Sequence, residues 1–228
     1  MTLFIFMLYR LAMWTWATRW RGLVLPAVGF TLVARARADT IDDLVAQIST
    51  DRLRTHISVL AAGPRDTPAA QAAAASYIVG QLQSYGYSVM QDPVLQTANL
   101  IVHIPGQRTP EVTFVVGAHF DSDEDSPGAD DDAAAVAGLI DMGRVLAGQP
   151  LASSFDLVAF GAEEAGLVGS QQYAQAARQA LREISGMLSL EEIAYTCTRP
   201  GCQFAFPTIA GCLTIGHPVP NIGTFIAA

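Results

Sequence analysis

His119 and Asp121 stand two residues apart in Ala118-His119-Phe120-Asp121-Ser122, directly after an apolar run that begins at Val112. In an extended segment such residues project to one side. A carboxylate placed there can accept the second N–H of an imidazole and fix the tautomer of a metal-bound ring. Next comes Gly128-Ala129-Asp130-Asp131-Asp132-Ala133. One acid at a helix start suits the helix dipole and needs no further reason. Three in a row repel one another, a cost that a divalent cation removes, and one carboxylate can bridge two metals. Glu163-Glu164 follows the apolar run Phe155–Phe160, and Glu191-Glu192 follows the run Ile184–Leu190. Adjacent acids at a strand end point in different directions, so one can bind metal while the other takes a proton from water. Solvated loop acids would explain any one of these pairs. Together, four segments deliver one His and several carboxylates to strand ends, where ligands of open α/β sheets gather. Imidazole with carboxylates suits zinc.

The elements that must position these residues follow from hydrophobic period. Leu44, Ile48, Leu53 and Ile57 predict a helix from Thr40 that Ala61-Ala62-Gly63-Pro64 stops. Ala74, Ile78 and Leu82 predict a second helix over 68–85, with Gly86 as its end. Strands are expected at 87–90, 99–104 and 112–118, with Pro105-Gly106 as the turn between the last two. A helix over 131–146 has Val136, Leu139, Ile140 and Gly143 as its inner stripe. The run 155–160 reads as a strand buried on both faces, followed by a helix over 167–181 and a strand over 184–190. Strands alternating with helices indicate an α/β sheet covered on both sides. His56 and His103 fall in a helix and a strand away from the motifs and read as structural.

Length and composition bound the class. The 228 residues suffice for one domain with a real core. They are 51% hydrophobic, 15% charged and carry a formal charge of −8, which excludes a nucleic-acid binder. Arg19 and Arg21 precede an apolar run over 22–34, and Ala36-Arg37-Ala38 follows. That order predicts a signal peptide over 1–38 and export to the periplasm or the exterior, with the domain over 39–228. The alternative is an uncleaved segment that anchors the chain to the membrane. In an exported chain Cys197 and Cys202 can close a small loop, with Cys212 left over and the pairing open.

AHFDS, PGADDDA, AEEAGLVGS and SLEEIAY, in this order and spacing, resemble the motifs of the secreted co-catalytic di-zinc aminopeptidases. That family is related to aminopeptidase Y and to the peptidase domain of glutamate carboxypeptidase. The resemblance covers 53–195, with a faint echo at 221–227. It implies a three-layer α/β/α sandwich with a mixed central sheet, of the zinc-peptidase, phosphorylase/hydrolase-like kind. It implies that His119 is a ligand of one zinc, oriented by Asp121, and that Asp131 bridges the two ions, often with a cis peptide directly after it. Glu163 is then the general base and Glu164 a ligand of the other zinc, while Glu191 joins His119 and Asp131 on the first. Glu192 stands where the family is usually apolar.

The implied reaction is hydrolysis of N-terminal peptide bonds in peptide or protein substrates by a metal-activated water that Glu163 deprotonates. Family members supply a further His from a later strand-loop, and His217 lacks the expected surroundings for that part. The expectation is therefore a domain whose C-terminal part is missing. It would bind one zinc at most where the family holds two, with impaired peptidase activity. Two alternatives stand beside this reading: a non-catalytic binding module on the same fold, and a single-zinc acyltransferase of the glutaminyl cyclase type. Retention of Glu163 weighs against the first, because a binding scaffold needs no base. GADDDA followed by AEE weighs against the second.

Overall fold

In the computed structural model, which describes residues 40–195, five strands share one mixed sheet in the order β1-β2-β4-β3-β5. They are β1 (Met90–Val94), β2 (Thr97–Ile104), β3 (Thr109–His119), β4 (Ser153–Phe160) and β5 (Glu183–Ser189). The segment 1–38, the three cysteines, His217 and the echo at 221–227 lie outside the described residues. Strands β3, β4 and β5 run parallel, whereas β2 is antiparallel to both β4 and β1. Parallel neighbours cannot be joined by a tight turn. Accordingly α4 (Ala135–Leu146) links β3 to β4, and α5 (Val168–Gln179) links β4 to β5. The carboxyl ends of β3, β4 and β5 therefore lie along one edge of the sheet.

Alternation along the strands builds two cores. Leu100, Val102, Val116, Ala118, Leu157 and Ala159 pack against Ile78 and Leu82 of α3 (Pro68–Ser84) and Val136, Leu139 and Ile140 of α4. Ile101, Val115, Val158 and Phe160 take the opposite face, against Tyr173 of α5. Helices thus cover both faces, and the three-layer mixed-sheet sandwich expected from the sequence is the fold. Among the described residues no helix is long and apolar enough to cross a membrane.

Three elements depart from the sequence expectation. The helix from Thr40 is two helices, α1 (Ile41–Ala46), reciprocally capped by Thr40 and Asp43, and α2 (Thr50–Leu60). The carbonyl of Gln47 accepts from the guanidinium groups of Arg52 and Arg144, which also share the buried carboxylate of Asp141. This cross-link to α4 takes the chain out of the helix. The first strand starts at Met90 rather than Tyr87, because pairing from Met90↔Ile101 to Val94↔Thr97 sets a tight hairpin around Leu95. Tyr87 instead donates its hydroxyl to the Gly143 carbonyl at 2.8 Å. The helix expected from Asp131 begins at Ala135. Before it, Ala129–Ala134 forms a π-type turn in which Asp131 and Asp132 leave helical geometry.

His56 and His103 are structural. His56 Nδ1 lies 2.7 Å from the Tyr77 hydroxyl, and His103 Nδ1 lies 2.7 Å from Asp156 Oδ1. Asp156, 1% exposed in β4, also accepts from the Tyr173 hydroxyl at 2.6 Å and Arg182 at 2.8 Å. Burial works against its ionisation, but Tyr173, His103 and Arg182 outweigh it and hold the carboxyl below the usual range. A folded-state pKa below the unfolded one stabilises fully above the unfolded value, and that contribution is lost as pH falls through the folded value. Asp156→Ala is therefore expected to lower the urea-unfolding free energy by about 3 kcal/mol at neutral pH. The gap to wild type should close below about pH 4, and a gap that did not change with pH would contradict this account.

Candidate metal centre

Strand β3 ends by placing the His119 ring, almost fully buried, at the centre of a ring of acids. Its Nε2 lies 2.8 Å from Asp131 Oδ1, 3.0 Å from Glu191 Oε1 and 3.9 Å from Glu163 Oε2. Its backbone N–H donates to Asp132 Oδ2 at 3.2 Å. An imidazole nitrogen carries at most one proton, so the oxygens converging on Nε2 outnumber what it can serve. Asp131 Oδ1, despite its approach, makes no aligned hydrogen bond, and the buried Asp132 Oδ1 has no hydrogen-bond partner either. A divalent cation shared by His119, Asp131 and Glu191 resolves this surplus, and one nitrogen with carboxylate oxygens suits zinc. One donor atom from each of the three lies within 4.8 Å of the others, and the same holds for His119, Glu163 and Glu164. Both trios draw on His119.

Backbone donors hold the acids in place. The two oxygens of Asp121 accept the amides of Glu163 and Glu164, each at 3.1 Å. With its oxygens aimed at those amides, Asp121 stands 3.6 Å from His119 Nδ1. This is a close ion pair, longer than the hydrogen bond to the ring expected from the sequence. Asn99 steadies the other side of the Glu163-Glu164 loop, accepting from the Gly161 amide at 3.2 Å and donating to the Gly169 carbonyl at 2.9 Å. Asp130 Oδ1 accepts the amides of Ala194 and Tyr195, at 2.7 and 3.1 Å. It ties the segment bearing Glu191 to the turn bearing Asp131.

The peptide bond after Asp131 is cis, at the place where the resemblance implies one. Gly128 precedes that turn with φ 58°, and a Cβ there would collide with the Asp131 carbonyl. The site thus draws on three strand ends and one helical turn, not on four strand ends. The reason is that Asp131 and Asp132 reach His119 from a turn that leaves helical geometry before α4.

Charge follows from this packing. Burial disfavours the protonated His119 ring, but Asp121, Glu191 and Asp132 outweigh it and lift its pKa to about 11. Burial, with Glu191 and Asp131 adding and His119 opposing, pushes Asp132 up to about 8. Glu163 and Glu164 are also raised, first by burial and then by neighbouring carboxylates against the His119 charge. Asp121 goes the other way: burial is outweighed by His119 and by the amides of Glu163 and Glu164.

The motifs did not single out Asn99, Asp130, Asp132 or the buried Arg65 as parts of the site. For Asn99 the available signal was a polar residue inside an apolar strand. In Asp121→Asn the side-chain NH2 would oppose one of the two amides. The expected cost is about 2 kcal/mol, read by thermal unfolding of chelator-treated protein. An unchanged melting temperature would show that Asp121 does not hold this loop.

Residues 99–208 match the family model described as Peptidase family M28. A "Probable zinc metalloprotease" of Pyrenophora teres f. teres is 25% identical over 256 residues, covering 89% of this chain and 55% of that protein. "Aminopeptidase YwaD" of Bacillus subtilis is 38% identical over 81 residues, 34% of this chain and 18% of that one. The chain thus spans about half the length of this fungal relative.

Among solved structures, the aminopeptidase from Aneurinibacillus sp. strain AM-1 superposes with a TM-score of 0.59 at 16% identity, over 66% of this chain and 72% of that one. A Porphyromonas gingivalis glutaminyl cyclase gives 0.55 at 23% identity, over 64% and 60%. At these identities the structural matches speak for the fold alone. The matching model and the aligned relatives agree with the four motifs in likening this chain to peptidase family M28, and together they support a zinc aminopeptidase family.

Proposed function

We propose that this protein is a zinc-dependent exopeptidase of the aminopeptidase type, acting on peptide or protein substrates. His119, Asp131 and Glu191 hold the metal, and Glu163 is the general base. The convergence of Asp131 Oδ1 and Glu191 Oε1 on His119 Nε2, within 3.0 Å, carries the reading. Zinc, when bound, polarises the scissile carbonyl and makes water a better nucleophile near neutral pH. Glu163 stands beside this cluster, and burial with its acidic neighbours keeps its affinity for a proton high. It takes a proton from the attacking water as the C–O bond forms, then passes it to the amine nitrogen as the C–N bond breaks. Asp121 fixes the amides of Glu163 and Glu164 and so keeps both carboxylates at the site.

Glu164, with Asp131, is the proposed contact to a second ion. Because both trios of the described residues use His119, they complete one site at a time. The described residues therefore hold one zinc at most, with peptide turnover correspondingly weak. Export, with 1–38 removed, belongs to the same proposal. The single-ion count also suits a glutaminyl-cyclase-like acyltransferase.

Zinc titration with metal analysis of the full chain should give one ion. Two bound ions with vigorous hydrolysis of an aminoacyl-nitroanilide would overturn that count. Glu163→Gln should lower kcat about 10²–10⁴-fold while zinc affinity holds, and wild-type turnover in this variant would remove Glu163 from its role. Cyclisation of an N-terminal glutaminyl peptide without nitroanilide hydrolysis would select the acyltransferase, and peptide capture with neither reaction a binding module.

A further inference from the structure

We propose that Arg65 is a positioning residue of the metal centre, clamping the His119–Asp121 loop to the Ala129–Ala134 turn with one buried guanidinium. The inference rests on the zinc reading of that site. Arg65 is 3% exposed. Its Nε donates to the Phe120 carbonyl at 2.7 Å, between His119 and Asp121 in the chain. Its Nη1 donates to the Pro127 carbonyl at 2.7 Å and its Nη2 to the Gly128 carbonyl at 3.1 Å, directly before the turn that carries Asp131 and Asp132. Nη1 also reaches the Leu60 carbonyl at the end of α2, at 2.9 Å. The Arg65 amide donates to Ser122 Oγ at 2.9 Å, closing the same loop from the backbone side. Gly128 leaves room for this arrangement, since a Cβ there would lie 2.8 Å from Nη2.

A planar fork of five donors can serve several carbonyls at once, whereas a lysine ammonium is a point charge and cannot span them. The guanidinium also spends its donors on carbonyls rather than in a direct ion pair. Burial lowers the affinity of this guanidinium for its proton, and Asp121, Asp132, Asp131 and Glu164 oppose that effect in part. Charge and clamp therefore make opposite predictions for metal affinity. Removing a cation near a metal site strengthens metal binding by Coulomb's law alone. Removing the clamp frees the two loops that hold His119 and Asp131 and weakens it.

The test uses the full chain with Zn²⁺ measured by chelator competition and Co²⁺ as a spectroscopic probe. Arg65→Met removes charge and fork, Arg65→Lys removes the fork alone, and Arg144→Met is a control that cuts an arginine from the distant Asp141 network. Both Arg65 variants should bind zinc roughly 10–100-fold more weakly and change the Co²⁺ absorption band, while the control loses thermal stability but keeps the wild-type zinc affinity. The clamp is overturned by wild-type affinity and spectrum in Arg65→Lys. Tighter zinc binding by Arg65→Met overturns it too, as does an equal loss of affinity in the control. Arg65→Lys decides by the same criteria if Arg65→Met does not fold. A wild-type chain that takes up neither metal would instead refute the metal site on which the clamp depends.

Discussion

Several carboxylates crowd one buried imidazole, and their mutual repulsion is the condition that the rest of this structure has to meet. Asp121 and Asp132 are buried there and need donors or a shared cation, whereas Asp131, Glu163 and Glu191 keep partial contact with water. Backbone amides answer part of the demand. Asp121 takes those of Glu163 and Glu164, Asp132 that of His119, and Asp130 those of Ala194 and Tyr195. Each such bond also ties one loop to another, so the relief of charge and the alignment of the site are one event. What the amides leave over is concentrated at His119 Nε2, where a metal ion is the remaining remedy.

The sheet makes this crowding possible. Only parallel strands bring the ends of β3, β4 and β5 to one edge, and the crossovers through α4 and α5 are what make them parallel. The buried Asp156 supports the second crossover from the far end. It joins β4 to Tyr173 on α5 and to Arg182 just before β5, with His103 of β2 beside it. Asp141 does the same for the first, gathering Arg52 and Arg144 where α2 meets α4. Both networks put a buried carboxylate under charged donors, an arrangement costly to break at one partner. They secure the elements whose loops hold the acids without touching the acids themselves.

Much of this was legible in order along the chain. The apolar period located α3, β3, β4 and α5 to within a few residues, because the faces they bury are set by local alternation. Helix α1 and strand β1 were misplaced for a shared reason. Their limits depend on partners outside the element itself, Arg144 for the carbonyl of Gln47 and Ile101 of the next strand for Met90. The start of α4 shifted because Asp131 and Asp132 give up helical geometry to reach His119, a pull that helix propensity does not contain.

Residue type and spacing alone pointed to His119, Asp121 and the acidic runs 130–132, 163–164 and 191–192, and to zinc as the metal they suit, while the resemblance picked Asp131, Glu163, Glu164 and Glu191 from those runs. Those are properties of short stretches and of side-chain chemistry. Folding decided which oxygens meet Nε2, that Asp121 serves two amides as well as pairing with the ring, and that Asn99, Asp130, Asp132 and Arg65 join the site. Each of these is a distance between residues remote in sequence. Such distances are set by strand order, crossover and packing, which no local pattern encodes.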